Sequence, residues 1–131
     1  MIAGTGSGCG KTTVTLAVLR AMQRRNIPLA AFKCGPDYID PMFHKAVLGI
    51  PSRNLDLFFV SEREVRGQIV RSIPQNGIGV IEGVMGFYDG VSGTTDTASA
   101  AHLARETGTP AILVVRPKGQ SLSLAAMLSG F

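Results

Sequence analysis

The sequence predicts an α/β fold, in which a mostly parallel sheet is flanked by helices. Short apolar runs rich in β-branched residues alternate with longer segments of helical period, which is the pattern of βαβ units. A glycine-rich segment joins the first apolar run to the first helical segment. The 131 residues, 45% of them apolar and 17% charged, suffice for one globular domain with its own core.

The predicted elements follow one another along the chain. Residues 1–3 are the end of a first strand, and residues 11–25 form a helix because Val14, Val18 and Ala21 recur at helical spacing. Ser61 and Glu64 form a capping-box pattern, which predicts a helix at 62–73. The other elements are strands at 28–33, 78–82 and 111–115, a short helix at 42–48, a helix at 97–107, and a last helix that begins at 122. The segments 35–41 and 83–93, rich in glycine or proline, are predicted loops. We expect the sheet to be incomplete at its C-terminal end.

The strongest functional signal is the segment GTGSGCGKTT at residues 4–13. A polyphosphate needs several backbone N–H groups that converge on it, and glycines allow a close approach of the chain. Lys11 would reach the β- and γ-phosphates and the Thr12 hydroxyl would bind Mg²⁺, so the motif predicts a P-loop NTPase-like domain. Thr5 stands where the usual pattern has its first glycine, and Gly4 comes one place earlier. The predicted nucleotide-binding residues are Gly6, Ser7, Gly8, Gly10, Lys11, Thr12 and Thr13.

Acidic residues follow the predicted strands. Asp37 and Asp40 come after the second strand, Glu82 ends the strand at 78–82, and Asp89 lies in the loop behind it. In a doubly wound sheet, ligands bind at this edge. Carboxylates are the ligands that Mg²⁺ prefers, so Asp37, Asp40 and Glu82 are candidates for the ion or its water shell. For Asp37, Asp40 and Asp89 the alternative is that each caps a turn.

Composition excludes several classes of protein. The net charge is +4, but the bases are scattered and no aromatic residues interleave with them, so we expect no nucleic-acid partner. The chain has neither a run of about eighteen apolar residues nor a signal-peptide pattern, so we expect no membrane association and a cytoplasmic location. Two cysteines, Cys9 and Cys34, cannot form a disulfide framework.

Five segments, in this order, resemble the N-terminal synthase region of the cobyrinic acid a,c-diamide synthases: GTGSGCGKTT, FKCGPDYIDPMFH, SRNLD, IEGVMGFYDG and DTASAAHLA. That family is grouped with the dethiobiotin-synthetase-like amide ligases, whose P-loops also have a threonine, like Thr5 here, in place of the first glycine of the usual pattern. Its members use ATP and Mg²⁺ to activate two carboxylates of a corrin precursor, and they amidate these with ammonia released from glutamine. The resemblance therefore implies a partial ATP-binding synthase domain at 1–131 that acts in cobalamin biosynthesis.

The resemblance also implies roles for individual residues. Lys11 and Mg²⁺ would offset charge on the transferred phosphoryl group, and Lys33 would bind the substrate carboxylate or the phosphate. The acids that match Asp37, Asp40 and Glu82 belong to metal and nucleotide chemistry. The predicted catalytic residues are Lys11, Lys33, Asp37 and Asp89, and the predicted metal ligands are Thr12, Asp40 and Glu82.

Several points stay open at this stage. The relatives carry a C-terminal glutaminase domain that we do not find here, and Arg116 follows the last strand where an aspartate is expected. His44 could touch substrate or could be an exposed or packed histidine. A diamide synthase for another tetrapyrrole, such as nickel-sirohydrochlorin, fits the same motifs. A partitioning-type ATPase switch is disfavoured because Gly6 stands where that class has a lysine. The resemblance also allows a homodimer.

Overall fold

Five strands and five helices make up the fold in a computed structural model that describes residues 1–131. The strands are β1 (Ile2–Gly4), β2 (Leu29–Cys34), β3 (Ser52–Leu55), β4 (Ile78–Glu82) and β5 (Ile112–Val114). The helices are α1 (Lys11–Arg24), α2 (Ile39–Leu48), α3 (Glu62–Ser72), α4 (Ala100–Thr107) and α5 (Ser123–Leu128). None of these helices combines the length and the apolar character needed to cross a membrane.

The strands form one parallel sheet in the order β3-β2-β4-β1-β5. The register pairs Lys33 on β2 with Glu82 on β4. Because all five strands run the same way, their carboxyl ends meet at one edge, where the segments after β1, β2 and β4 begin. The predicted α/β fold with a parallel sheet flanked by helices is confirmed.

Side chains alternate between the two faces of the sheet. Ala31 and Val80 belong to a core cluster that includes Leu19 of α1. The next residue of each strand, Phe32 or Ile81, belongs to a second cluster with residues of α3 and α4. Because consecutive strand residues point to opposite faces and both faces are covered, these strands read as continuous apolar runs in the sequence.

The strand β3 is missing from the predicted elements. It lies at the edge of the sheet, and only Leu55 of its four residues is buried. An edge strand has a single neighbour and needs no continuous apolar run, so serine, arginine and asparagine at its first three positions carry no strand signal.

Two helices begin at places that differ from the prediction. The helix α2 begins at Ile39, within the segment predicted as a loop, and Pro41 falls in its first turn, where a missing N–H costs no helical hydrogen bond. The helix α4 begins later than predicted, because Ser99 is its N-cap and accepts a hydrogen bond from the first turn. The predicted capping box is confirmed, since Ser61 Oγ accepts a hydrogen bond from the N–H of Glu64 at 3.3 Å.

Candidate functional site

The loop between β1 and α1 wraps an open cavity of about 380 Å³. Gly8, with φ 70°, and Gly10, with φ 104°, adopt backbone conformations that favour glycine. The helix α1 begins without a side-chain cap, which leaves N–H groups of its first turn available to an anion. The residues that line this P-loop cavity are Ser7, Gly8, Gly10, Lys11, Thr12, Thr13, Lys33, Asp37, Asp40, Glu82, Val84 and Met85.

Lys11 forms part of the wall of the P-loop cavity, with only 8% of its surface exposed. Its ammonium group donates to the Gly6 carbonyl at 2.8 Å and to the Met85 carbonyl at 2.5 Å. Gly6, a predicted nucleotide-binding residue, does not line the cavity. Its carbonyl oxygen instead holds the Lys11 side chain in place. The hydrogen bond to Met85 connects the P-loop to the loop after β4. Met85 itself has φ 44°, which is uncommon for a residue other than glycine.

Three acidic side chains and one lysine meet beside the P-loop, and we call them the acid–lysine cluster. Lys33, near the end of β2, donates to Asp40 at 2.5 Å and to Glu82 at 3.1 Å, and its Nζ lies 3.6 Å from Asp37. The Thr12 hydroxyl donates to Glu82 at 2.6 Å and lies 3.4 Å from Asp40. The fold therefore brings together predicted metal and catalytic residues that come from three separate strand ends.

Burial and hydrogen bonding together set the charges of the acid–lysine cluster. Burial by itself would raise the pKa of Glu82, but hydrogen bonds from His44, Thr12 and Lys33 outweigh it and lower this pKa to about 2. Burial also opposes the charge of Lys33, yet its contacts with Asp40 and Glu82 raise its pKa. Lys33 therefore stays cationic and offsets the charge of only one of the three acidic groups.

His44 lies fully buried behind Glu82, whereas the sequence left open whether this histidine touches substrate, packs inside or is exposed. Its Nε2 is 3.2 Å from Glu82 Oε2, and its Nδ1 is 2.9 Å from Ser52 Oγ. His44 follows Asp40 by four residues on α2, and residues at that spacing share a helix face. This spacing could have indicated that both residues face the acid–lysine cluster. Ser52 gave no such signal, because it belongs to the strand that was not predicted.

Asp89 does not line the P-loop cavity. Its carboxylate accepts a hydrogen bond from the N–H of Gly86 at 2.8 Å, within the loop after β4. It lines a second cavity of about 470 Å³, which shares Val84 and Met85 with the P-loop cavity. We call it the apolar cavity, and its lining residues are Gly35, Pro36, Asp56, Phe58, Phe59, Val84, Met85, Asp89, Gly90, Val91 and Ala98.

Arg116 and Cys9 lie beside groups of the P-loop, whereas Cys34 belongs to the core at the end of β2. Arg116 Nη1 lies 3.5 Å from the Gly8 carbonyl oxygen, so this arginine approaches the P-loop from the end of β5. Cys9 Sγ lies 3.9 Å from Lys11 Nζ. Cys34 is buried, and burial raises the pKa of its thiol to about 12, so it stays protonated and unreactive.

The depressed pKa of Glu82 predicts a loss of stability in acid. The folded state keeps the carboxylate ionised down to about pH 2, against an ordinary pKa of 4.5. Its contribution is therefore complete above the ordinary pKa, about 3 kcal/mol in size, and is lost as the pH falls through that window. We expect the difference in unfolding free energy between wild type and Glu82→Gln, measured with urea, to shrink from about pH 5 to about pH 3. Glu62→Gln, an exposed control on α3, should show a much smaller change, and a pH-independent difference for Glu82→Gln would contradict this account.

Comparison with known proteins adds a family and several relatives. The CobQ/CobB/MinD/ParA nucleotide binding domain (CbiA) matches residues 1–98. A protein of Salmonella typhimurium named cobyrinate a,c-diamide synthase is 47% identical over 131 residues, which cover 100% of this chain and 28% of that protein. The proteins of the same name from Clostridium acetobutylicum and Thermoplasma acidophilum are 49% and 43% identical, and in each case the match covers 99% of this chain and 29% of the relative. No solved structure matches the chain significantly.

These matches agree with the geometry of the site. The family match includes β1 to β4, and with them the P-loop, the acid–lysine cluster and the loop after β4. The chain spans less than a third of the length of the curated relatives that it matches. The predicted P-loop NTPase-like fold is confirmed, and the chain belongs to the CobQ/CobB/MinD/ParA nucleotide binding domain family.

Proposed function

We propose that the protein uses ATP and Mg²⁺ to amidate carboxylates of a tetrapyrrole, with the a and c carboxylates of cobyrinic acid as the leading substrate. The observation that carries this proposal is the junction of two cavities: the charged P-loop cavity and the apolar cavity share Val84 and Met85 as walls. The relatives' name, cobyrinate a,c-diamide synthase, supports the substrate class. In this proposal the chain supplies the ATP-binding synthase domain.

The nucleotide would bind through its polyphosphate tail. The backbone N–H groups of the P-loop and of the first turn of α1 offer several donors to phosphate oxygens. Lys11 would exchange the carbonyls of Gly6 and Met85 for oxygens of the β- and γ-phosphates. That exchange replaces two neutral acceptors with anionic ones, which form stronger hydrogen bonds.

The oxygen donors beside the P-loop suit Mg²⁺. The Thr12 hydroxyl lies within 3.4 Å of carboxylate oxygens of both Asp40 and Glu82, and all three residues line the P-loop cavity. Hydroxyl and carboxylate oxygens are the ligands that Mg²⁺ prefers. One lysine against three acidic groups also leaves negative charge for a divalent cation to offset. Thr12, Asp40 and Glu82 would hold the ion directly or through its waters, and the bound ion would withdraw charge from the phosphate oxygens.

The chemistry converts a poor electrophile into a good one. An oxygen of the substrate carboxylate attacks the γ-phosphorus, the bond to ADP breaks, and an acyl-phosphate forms. Ammonia then attacks the acyl carbon, phosphate departs, and the nitrogen loses a proton to give the amide. Lys11 would offset charge on the transferred phosphoryl group. Lys33, with Asp37 beside it, would bind the substrate carboxylate and orient it for attack on the γ-phosphorus.

The substrate's macrocycle would lie in the apolar cavity. A tetrapyrrole is broad and largely apolar, with its carboxylates at the rim. The exposed rings of Phe58 and Phe59 pack edge to face with centroids 5.0 Å apart, and they offer aromatic surface to such a ring system. A rim carboxylate could then pass Met85 to reach Lys33 in the adjoining cavity. Asp89, on the wall of the apolar cavity, would orient the substrate.

The nitrogen would be ammonia released from glutamine by a glutaminase domain, which makes the protein a glutamine-dependent carbon–nitrogen ligase of the cytoplasm. Neither cysteine of this chain is placed to act as the nucleophile of such a domain. Cys9 lies in the P-loop next to Lys11, and Cys34 is buried with a raised pKa.

The proposal predicts that the full protein forms amide on cobyrinic acid only when ATP, Mg²⁺ and either glutamine or ammonia are present. Product can be followed by mass, because each amidation replaces a hydroxyl with an amino group. ADP should form in step with each amide. ATP turnover that ignores corrinoids and responds to DNA would contradict the proposal and favour the partitioning-type switch. Amidation of a nickel-sirohydrochlorin but not of cobyrinic acid would assign the other tetrapyrrole.

Two variants test, in the same assay, whether the macrocycle binds in the apolar cavity. Phe59→Ala removes a ring from the wall of the apolar cavity and should raise the KM for the tetrapyrrole about tenfold, the loss expected for an aromatic contact worth about 1.4 kcal/mol. The KM for ATP should not change. Val70→Ala, an exposed apolar side chain on α3, is the matched control and should alter neither constant.

A further inference from the structure

We propose that His44 and Ser52 act as a positioning relay, which fixes the Glu82 carboxylate so that one of its oxygens faces the P-loop cavity. This inference deepens the proposed function, because it concerns how Glu82 is presented to the cation that accompanies ATP. His44 is a positioning residue and not a catalytic one, since it does not line the P-loop cavity.

The two oxygens of Glu82 have different partners. Oε1 accepts hydrogen bonds from Thr12 at 2.6 Å and from Lys33 at 3.1 Å, on the side of the P-loop cavity. Oε2 faces away from Thr12 and Lys33, toward His44 Nε2 at 3.2 Å. The side chains of His44 and Glu82 are both 0% exposed, so no solvent competes for this contact.

The direction of the hydrogen bond to Glu82 follows from the chemistry of the groups. An ionised carboxylate can only accept, so Nε2 of His44 must carry the proton that points at Glu82. The other ring nitrogen, Nδ1, forms a hydrogen bond with the Ser52 hydroxyl at 2.9 Å, which a hydroxyl can make either as donor or as acceptor. The relay therefore links Ser52 to His44 Nδ1 and His44 Nε2 to Glu82. Each member determines the orientation of the next.

The fold holds the members of the relay on three different elements. Ser52 begins β3, His44 lies on α2 and Glu82 ends β4, with β2 between the two strands. A carboxylate held on one oxygen cannot rotate to give both oxygens to Lys33. Its other oxygen, Oε1, then stays beside the Thr12 hydroxyl, where a cation would be bound. Hydrogen-bond partners of metal-binding groups typically contribute a factor of about ten to one hundred to metal affinity or activity.

The test measures the dissociation constant of the full protein for ATP with Mg²⁺ and again with excess EDTA. The ratio of the two constants is the gain in ATP affinity due to Mg²⁺. His44→Leu keeps the volume and removes both hydrogen bonds, so the gain should fall about tenfold while the affinity in EDTA is unchanged. His44→Gln keeps an N–H donor at a similar reach and should restore most of the gain. His102→Leu, on α4, is the matched control and should leave the gain at the wild-type value.

Two results would overturn the relay. One is a folded His44→Leu protein that keeps the wild-type gain. If that variant does not fold, Ser52→Ala and His44→Gln decide instead: the relay requires a lower gain in Ser52→Ala and a nearly normal gain in His44→Gln, so the reverse pattern refutes it. Because the readout is nucleotide binding, a protein that fails to amidate any tetrapyrrole would refute the proposed function and leave this measurement intact.

Discussion

Replacing Lys11 with alanine should abolish the stabilisation of the protein by MgATP and leave the fold intact. The ammonium group is the charged donor within the P-loop, and a hydrogen bond to a charged group contributes about 1.5–3 kcal/mol. Lys11 makes two hydrogen bonds, to Gly6 and Met85, and these would pass to phosphate oxygens. Their loss, together with the loss of the charge, should weaken binding by at least about a hundredfold.

Thermal unfolding with and without nucleotide measures this effect. At a ligand concentration about a hundred times the dissociation constant, wild type should gain about 2.7 kcal/mol, which for a chain of this size appears as a rise of about 10 °C in Tm. Lys11→Ala should unfold near the wild-type temperature without ligand, because Lys11 lines an open cavity and water can enter the space that its side chain leaves. Lys118→Ala, an exposed lysine, is the control and should keep the full ligand-induced rise. A normal rise in Lys11→Ala would contradict the role of the P-loop.

Replacing Lys33 with methionine should destabilise the protein by about 3–5 kcal/mol, because it leaves the buried Glu82 carboxylate and the half-buried Asp40 without their cation. Lys33 is 3% exposed and contacts Asp40 and Glu82 directly. Methionine keeps the length of the side chain, so the effect reports charge and hydrogen bonding more than lost packing. The same variant should lose synthase activity, since no cation would remain at the end of β2 to bind the substrate carboxylate.

Urea denaturation at neutral pH gives the size of the effect. Millimolar Mg²⁺ should stabilise Lys33→Met more than it stabilises wild type, because a divalent cation can replace part of the missing charge. Lys45→Met, an exposed lysine on α2, should change the unfolding free energy by less than about 0.5 kcal/mol. If Lys33→Met were as stable as this control, the acid–lysine cluster would not have the electrostatic character that we assign to it.

Local patterns in the sequence suffice for the phosphate-binding part of the site. Glycines that adopt positive φ, a lysine and a threonine at the start of a helix are all neighbours along the chain. The same is true of the buried strands β2 and β4, whose apolar runs follow from burial on both faces. By contrast, β3 is an edge strand with three polar residues, and its position depends on its pairing with β2.

The α/β class, the P-loop and the set of acidic residues at the strand ends could be predicted from the amino-acid sequence alone. Which of these acids lie together could not: Asp40 and Glu82 share Lys33, whereas Asp89 belongs to the neighbouring apolar cavity. The positions of Ser52 and His44 behind Glu82 also follow only from the folded chain. Helix and strand patterns depend on neighbours along the chain, while these contacts depend on strand order and register, which are set by the packing of the whole sheet.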